Sequence, residues 1–255
     1  MIITFLGTGT SQGIPVFGCD CDVCTSIDFR DKRLRTSVHL NVNGKSFVFD
    51  SGPDFRQQIL RERITTLDAL VFTHEHKDHT AGLDDVRGFN YKDGGKSMRV
   101  YGRKSVLDTL KREFSYAFAE FKYPGVPQID LFEIENTPFE IDGIKFVPIE
   151  VMHYKLPVFG YRVGDFTYIT DANFISDTEL EKIKGSKVLV LNALRESEHI
   201  SHFTLQQALD IIAKVNPEKA FLIHLSHQMG LHKDVEKKLP GNVRIAYDGL
   251  KVELV

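Results

Sequence analysis

The sequence of 255 residues has few cysteines, no excess of positive charge and no long apolar run. Its three cysteines, Cys19, Cys21 and Cys24, lie within six positions, which favours reduced thiols over a disulfide framework and predicts a cytoplasmic location. Lys and Arg total 32 against 35 Asp and Glu, so tight binding to nucleic acid is not expected. The opening run Ile2 to Leu6 is too short for a signal peptide or a membrane span, and no membrane partner is expected.

The chain has neither a visible repeat period nor a low-complexity linker, so we predict one domain spanning 1–255. Short runs rich in β-branched and aromatic residues alternate with amphipathic segments that predict helices at PDFRQQILRER, at SVLDTLKREF with Ser105 as N-cap, at SDTELEKIK with Ser176 as N-cap, and at TLQQALDIIAKV. This rhythm predicts an α/β fold in which two sheets pack between outer helices. The segment Tyr116 to Pro138 fits neither element; we interpret it as irregular packing, with a lid over a site as the alternative.

The strongest local signal is FTHEHKDHTAGL, which follows the apolar run ALVF. His74 and His76 are two positions apart, so an extended backbone points both rings to the same side. A turn at Lys77 would bring Asp78 and His79 round to a second position. The spacing therefore predicts ligands for two adjacent metal ions.

Three later residues stand where apolar strands are predicted to end. His153 follows KFVPIEV, Asp171 ends YITD, and His224 ends KAFLIH. Strand ends at one rim of a sheet are a usual place for ligands to converge. Each of these residues is a weak signal alone, and together they supply what the histidine motif lacks.

In its order His-x-His-x-Asp-His, then His, Asp and His, the sequence resembles the metallo-β-lactamase fold superfamily. The resemblance implies a four-layer αββα sandwich. It implies that one metal is held by His74, His76 and His153, the other by Asp78, His79 and His224, and that Asp171 bridges them. It also implies that Asp50, in FVFDSG, orients a ligand histidine through the ring N–H.

Two metals about 3.5–4 Å apart can lower the pKa of a shared water, whose hydroxide attacks the substrate, and can also hold a phosphoryl or carbonyl oxygen. His and Asp ligands suit manganese or zinc, with iron as a further candidate, and the sequence does not choose among them. A metal-dependent hydrolase is the natural interpretation.

The cysteines need a fourth ligand to form a tetrahedral site. If FLIHLSH is extended to its end, His224 and His227 have opposite parity and point to opposite faces. His227 then completes a Cys₃His structural zinc site with Cys19, Cys21 and Cys24.

The segments FLGTGTSQGIPVFGCDCDVC, MHYKLPVFGY and IHLSHQ narrow the resemblance to the phosphoribosyl 1,2-cyclic phosphate phosphodiesterase family of the carbon–phosphorus lyase pathway. It implies a small cyclic phosphodiester as substrate, a manganese-type pair of catalytic metals and a separate structural zinc. Dimers are common in the superfamily, so the resemblance allows a homodimer. It also favours His202 as the acid that protonates the leaving oxygen, with Asp78 as the other predicted catalytic residue and His199 as a bystander.

Three rival functions remain open at this stage. One is a tRNA 3′-processing endonuclease, although no basic, Gly- and Pro-containing arm for tRNA is evident. Another is hydrolysis of an ester, lactone or thioester with the same metals. The third is a non-catalytic scaffold stabilised by zinc. It is disfavoured because such scaffolds lose metal ligands, whereas all seven ligand positions of the motif are filled here.

Overall fold

The computed structural model describes residues 1–254, which form two β-sheets with helices around them. The strands are β1 Ile2–Gly7, β2 Ser37–Val42, β3 Lys45–Phe49, β4 Ala69–Val71, β5 Met98–Gly102, β6 Ile129–Glu133, β7 Phe139–Ile141, β8 Ile144–His153, β9 Leu156–Val163, β10 Phe166–Ile169, β11 Phe174–Ile175, β12 Val188–Asn192, β13 Lys219–Ile223, β14 Val243–Ile245 and β15 Lys251–Glu253. The helices are α1 Asp22–Thr25, α2 Phe55–Glu62, α3 Lys77–Thr80, α4 Arg87–Lys92, α5 Lys104–Glu113, α6 Ser115–Phe118, α7 Asp177–Ile183, α8 Leu205–Val215 and α9 His232–Glu236.

The two sheets have the same general plan. The first has the order β15-β1-β2-β3-β4-β5-β6, and the second has the order β11-β8-β9-β10-β12-β13-β14, with β7 paired to β8. In each, antiparallel hairpins lead into parallel strands, β3 to β6 in the first sheet and β10, β12, β13 and β14 in the second. The carboxyl ends of parallel strands meet at one edge, and loops leave from there.

The core between the sheets is aromatic. Phe49 of β3 stacks against Tyr161 and Tyr168 of the second sheet, with ring centroids 5.6 and 5.1 Å away. Separate clusters of buried residues lie between each sheet and its helices, for example Leu6 with Leu110, and Leu191 with Ile212. The arrangement confirms the predicted α/β sandwich, in which two sheets pack between outer helices.

Local signals predicted several elements well. Ser176 caps α7 and accepts a hydrogen bond from the amide of Glu179. Thr204 and Gln207 form a capping box at the start of α8. The Ser105 cap was wrong, because α5 begins at Lys104, and the N-cap is Arg103, two residues before Ser105.

The interpretation of Tyr116 to Pro138 as irregular was wrong in part. Residues Ile129–Glu133 form β6, which pairs in parallel with β5 at the edge of the first sheet. The run IDLFE has charged residues among apolar ones, as an edge strand does, but its short length and the neighbouring prolines masked that signal. The part before it, 119–128, has no regular structure and contains the exposed aromatic residues Phe121 and Tyr123.

Within residues 1–254, no helix combines the length and the apolar character needed to cross a membrane.

Candidate metal centre

Strand ends in both sheets deliver the predicted ligands to one place. His74 follows β4, His153 ends β8, and Asp171 and His224 follow β10 and β13. The backbones of Asp171 and His224 are left-handed, with φ of 56° at both. Left-handed backbone is costly for residues other than glycine and is concentrated at functional sites. Here it turns the side chain out of the strand direction just where the strand ends.

The donor atoms form two groups that match the two ligand sets expected from the sequence. In the first, the donors of His74, His76 and His153 lie within 4.8 Å of one another. In the second, the same limit holds for Asp78, His79, Asp171 and His224. The groups adjoin, since the rings of His74 and His79 are 4.2 Å apart between centroids.

The carboxylate of Asp50 organises both groups from behind. It is fully buried, at φ 63°, and accepts a hydrogen bond from Nδ1 of His79 at 2.7 Å. It also accepts from the amide and the hydroxyl of Thr73. Because the Thr73 hydroxyl gives its proton to Asp50, its oxygen accepts from Nδ1 of His74 at 3.0 Å. One carboxylate thus orients a histidine in each group.

These hydrogen bonds fix which nitrogen is free to bind a metal. Nδ1 of His153 donates to the carbonyl oxygen of Ser201 at 2.8 Å, so Nε2 carries the lone pair. The same reasoning leaves Nε2 free on His74 and His79. Among the described residues, Nε2 of His74 is buried and has no hydrogen-bond partner, while Nε2 of His79 is buried 3.3 and 3.2 Å from carboxylate oxygens of Asp78 and Asp171. Burying a polar atom without a partner is costly, and a metal ion at this point removes the cost. The residues therefore fit a pair of divalent ions.

The charge of the pocket points the same way. Burial opposes protonation of His79, yet the carboxylates of Asp171, Asp78 and Asp50 raise the pKa of His79 well above its usual value. Burial also opposes ionisation of Asp171, yet His224 and His79 hold the pKa of Asp171 well below its usual value. The carboxylates thus create a site that favours positive charge, and a bound cation displaces a proton from its ligands.

His202, the predicted acid, lies against the second group. Its Nε2 is 3.0 Å from Oδ1 of Asp171, and its ring stacks on that of His224 with centroids 4.9 Å apart. Its Nδ1 is 3.0 Å from the hydroxyl of Ser201 and 3.2 Å from Nδ1 of His199. His199, interpreted from the sequence as a bystander, therefore contacts His202 directly.

The thiols form a separate group with His227. The Sγ atoms of Cys19, Cys21 and Cys24 are 3.2, 3.4 and 3.6 Å from Nδ1 of His227. These four donors lie within 4.8 Å of one another, and the cysteines are not joined by disulfides. The amide of Cys24 hydrogen-bonds to the sulfur of Cys21 and lowers the pKa of the Cys21 thiol to about 6, which favours the thiolate that metals bind. A Cys₃His set suits tetrahedral zinc.

The parity argument for His227 was wrong. Strand β13 ends at Ile223, and His227 begins a short 3₁₀ helix, His227–Met229, capped by Ser226. The left-handed backbone at His224 and this helix, rather than alternation along a strand, turn the two histidines to different sites.

Some supporting residues had no sequence signal of their own. Thr73, Ser201 and Thr10 act through hydrogen bonds that depend on the folded backbone; the Thr10 hydroxyl lies 3.1 Å from Nε2 of His224. Thr73 adjoins His74 in the sequence, but a threonine beside a ligand is too common to be informative.

Comparisons with known proteins agree with this geometry. A family model described as a beta-lactamase superfamily domain matches residues 45–225. A crystal structure described as a new diphosphatase from the PhnP family is 38% identical, covers 100% of this chain and 98% of its own, and superposes with a TM-score of 0.93.

Among curated proteins, octanoyltransferase of Porphyromonas gingivalis is 41% identical over 249 residues, which are 96% of this chain and 50% of that protein. Ribonuclease Z of Bacillus cereus is 29% identical over 168 residues, which are 64% of this chain and 49% of that protein. The chain spans about half the length of the curated relatives it matches.

Proposed function

Since this chain belongs to the metallo-β-lactamase fold superfamily of metal-dependent hydrolases and resembles its PhnP family, we propose that it hydrolyses a small cyclic phosphodiester of ribose, a class that includes phosphoribosyl 1,2-cyclic phosphate and the 2′,3′-cyclic nucleotides. The observation that carries the proposal is the contact between Nε2 of His202 and Asp171 Oδ1, at 3.0 Å. A histidine against this carboxylate is well placed to protonate an oxygen as it leaves phosphorus. A ribose alkoxide needs such an acid, whereas a weakly basic leaving group does not.

The similarity to a diphosphatase of the PhnP family supports a phosphorus ester as the substrate. Ribonuclease Z is a weaker guide, because its identity is 29% over only 64% of this chain. The octanoyltransferase of Porphyromonas gingivalis is about twice as long as this chain, and half of it has no counterpart here. Its name therefore does not indicate the activity of this chain.

The two donor groups would hold the ions as the resemblance implies, with His74, His76 and His153 on one side and Asp78, His79 and His224 on the other. Asp171 would be shared between them. When bound, two divalent ions polarise a phosphoryl oxygen and lower the pKa of water. The nitrogen and oxygen donors suit manganese or zinc, and the thiol group suits a structural zinc.

The chain's own residues hold this arrangement and move the proton. Asp50 keeps the proton of His79 on Nδ1, and the Ser201 carbonyl does the same for His153. Nε2 of His202 gives its proton to the departing oxygen. Ser201 Oγ and His199, both against Nδ1 of His202, hold its ring in place.

A leaving-group comparison tests the proposal. Wild type and His202→Ala are assayed on 2′,3′-cyclic nucleotides, ribose 1,2-cyclic phosphate and bis-p-nitrophenyl phosphate, with manganese and zinc compared. We expect His202→Ala to lower kcat/KM about 10²–10⁴-fold on the cyclic esters, the usual contribution of a general acid. On bis-p-nitrophenyl phosphate the loss should be far smaller, because p-nitrophenolate leaves without protonation.

Metal content per chain and thermal melting of the variant serve as controls for folding. Equal losses on all esters with metals retained would refute the role of His202. Faster turnover of lactones or thioesters than of any diester, or tight binding and cleavage of precursor tRNA at physiological salt, would overturn the proposed substrate class.

A further inference from the structure

The hairpin turn beside the metal centre has an unusual residue at a strained position. Strands β8 and β9 pair up to His153 opposite Leu156, which leaves Tyr154 and Lys155 as a two-residue turn. Tyr154 has φ 58°, in the left-handed region. Two-residue hairpin turns with positive φ at the first central position favour Gly, Asn or Asp there. A tyrosine is strained in this conformation, which points to a use for its side chain.

Asn173 holds this turn in place. Its Oδ1 accepts a hydrogen bond from the amide of Tyr154 at 2.8 Å, and its Nδ2 donates to the carbonyl oxygen of Ile200 at 3.1 Å. The amide of Asn173 donates to the carbonyl of Met152 at 2.8 Å. One side chain therefore fixes the turn relative to the loop that carries His202.

These two segments line a groove of about 530 Å³ that begins at His76 and His153. Its outer part is formed by Tyr154, Lys155, Leu156 and Ile200. The side chains of Tyr154 and Ile200 are 49% and 65% exposed, although both are large and apolar. Exposed apolar surface inside a groove next to reactive groups is typical of a ligand contact.

The groove also carries positive charge. Lys155 Nζ lies 5.3 Å from the centroid of the Tyr154 ring, within cation–π range. Within residues 1–254 it forms no ion pair, so its charge is free to attract an anionic substrate. A phosphate ester that bears a planar ring matches both features.

Resting on the proposed hydrolysis of a phosphodiester, we propose that Tyr154 is a specificity-determining residue that stacks on a planar ring of the substrate, so that nucleotide-like esters are preferred over base-free sugar phosphates. Stacking of a base on an aromatic side chain contributes about 1–3 kcal/mol, which corresponds to about 5- to 150-fold in affinity.

Calorimetric titration of the metal-loaded protein with adenosine 5′-monophosphate and with ribose 5-phosphate tests this directly. The two probes share sugar and phosphate and differ in the ring. Wild type should bind the nucleotide about tenfold more tightly. Tyr154→Gly should lose that preference without weakening ribose 5-phosphate, and Tyr154→Phe should retain it. Glycine adopts the left-handed backbone without strain, so the turn should persist.

Tyr123→Gly is the matched control, because Tyr123 is 81% exposed and lies outside the groove; it should keep the wild-type preference. Equal affinities in wild type, a preference that survives in Tyr154→Gly, a parallel loss for both probes, or binding of neither probe at millimolar concentration would each overturn the inference. If the preference depends on Tyr154 but wild type hydrolyses no phosphodiester, the proposed function fails and ring recognition stands.

Discussion

The histidine and aspartate centre and the thiol cluster both gather donor atoms within 4.8 Å, but they are supported differently. In the centre, His74, His153, Asp171 and His224 stand at or soon after strand ends of two sheets, and the other predicted ligands lie at the start of α3. Buried groups such as Asp50 and the Ser201 carbonyl fix the histidine rings. In the thiol cluster, ligands come from a loop, the four-residue helix α1 and a 3₁₀ helix. Cys19 and Cys21 are half-buried, and the sulfur atoms of both contact Nδ1 of His227, which is itself one of the four donors.

The difference in support follows from what each site has to do. A closed set of four donors saturates a tetrahedral ion and needs only to persist. A hydrolytic site needs an open position, ligands of fixed tautomer and a route for substrate, which here is the groove beside His76 and His153. The rigid sheets carry the site that needs fixed geometry, and loops carry the site in which the metal itself imposes the geometry.

The two sites are nevertheless coupled through one short segment. Leu225 lies between His224 and His227, and its amide donates to the carbonyl of Thr8 while its carbonyl accepts from the amide of Thr10. The segment that carries His224 and His227 therefore pairs with the loop that carries Thr10, whose hydroxyl lies 3.1 Å from Nε2 of His224.

Removing the shared carboxylate should have the largest effect. In Asp171→Ala we expect hydrolysis to fall about 10³-fold or more, because metal activation is worth several kcal/mol and each 1.36 kcal/mol is tenfold. Metal analysis should show loss of at least one ion from the centre, while the zinc on the thiols remains. Elemental analysis per chain, together with turnover, measures both.

Asp165→Ala is the control for that experiment, since Asp165 is a half-exposed partner of Lys187 and contacts neither site. An Asp171→Ala protein with full metal and full turnover would show that the bridging assignment is wrong.

A smaller effect is expected from the residue behind the ligands. Asp50→Asn preserves shape but removes the charge that accepts from His79 Nδ1 and from Thr73. Losses of 10–100-fold in metal affinity or activity are usual for such partners. Metal titration of the stripped variant measures the affinity, and melting of the metal-free protein checks that it folds. Unchanged metal affinity in a folded variant would show that Asp50 does not orient the ligand histidines.

The sequence predicted which donor residues lie together because they form a short-range pattern or stand at strand ends. His74 to His79 form one motif, and His153, Asp171 and His224 each end or follow an apolar run. The sandwich followed from the same alternation of strands and helices. Where a prediction depended on the exact end of an element it failed, as at Ser105 and at the strand presumed to reach His227.

What could not be predicted depends on tertiary contacts. The groove arises because Asn173 joins a hairpin turn to a loop 27 residues later in the chain. The contact of His199 with His202 depends on how that loop folds. Neither has a spacing or periodicity that marks it in advance.

The smallest effect on activity should come from the thiol cluster, and it would sharpen the comparison most. Cys21→Ser removes one ligand at a half-buried position, so little cavity is created. We expect loss of one equivalent of zinc and about 3–5 kcal/mol of stability, or about 10 °C in melting temperature. At 20 °C, well below the expected melting transition, kcat/KM should stay within about twofold of wild type. The reason is that an ion with four protein ligands has no open coordination position for a substrate. Asp165→Ala, prepared and assayed in the same way, is again the control and should behave as wild type. Hydrolysis that disappears at 20 °C while two ions per chain remain would mean that the thiols take part in the chemistry. A modest loss restored by added manganese would instead reflect strain passed through Leu225 to His224, as the hydrogen bonds between the two sites allow.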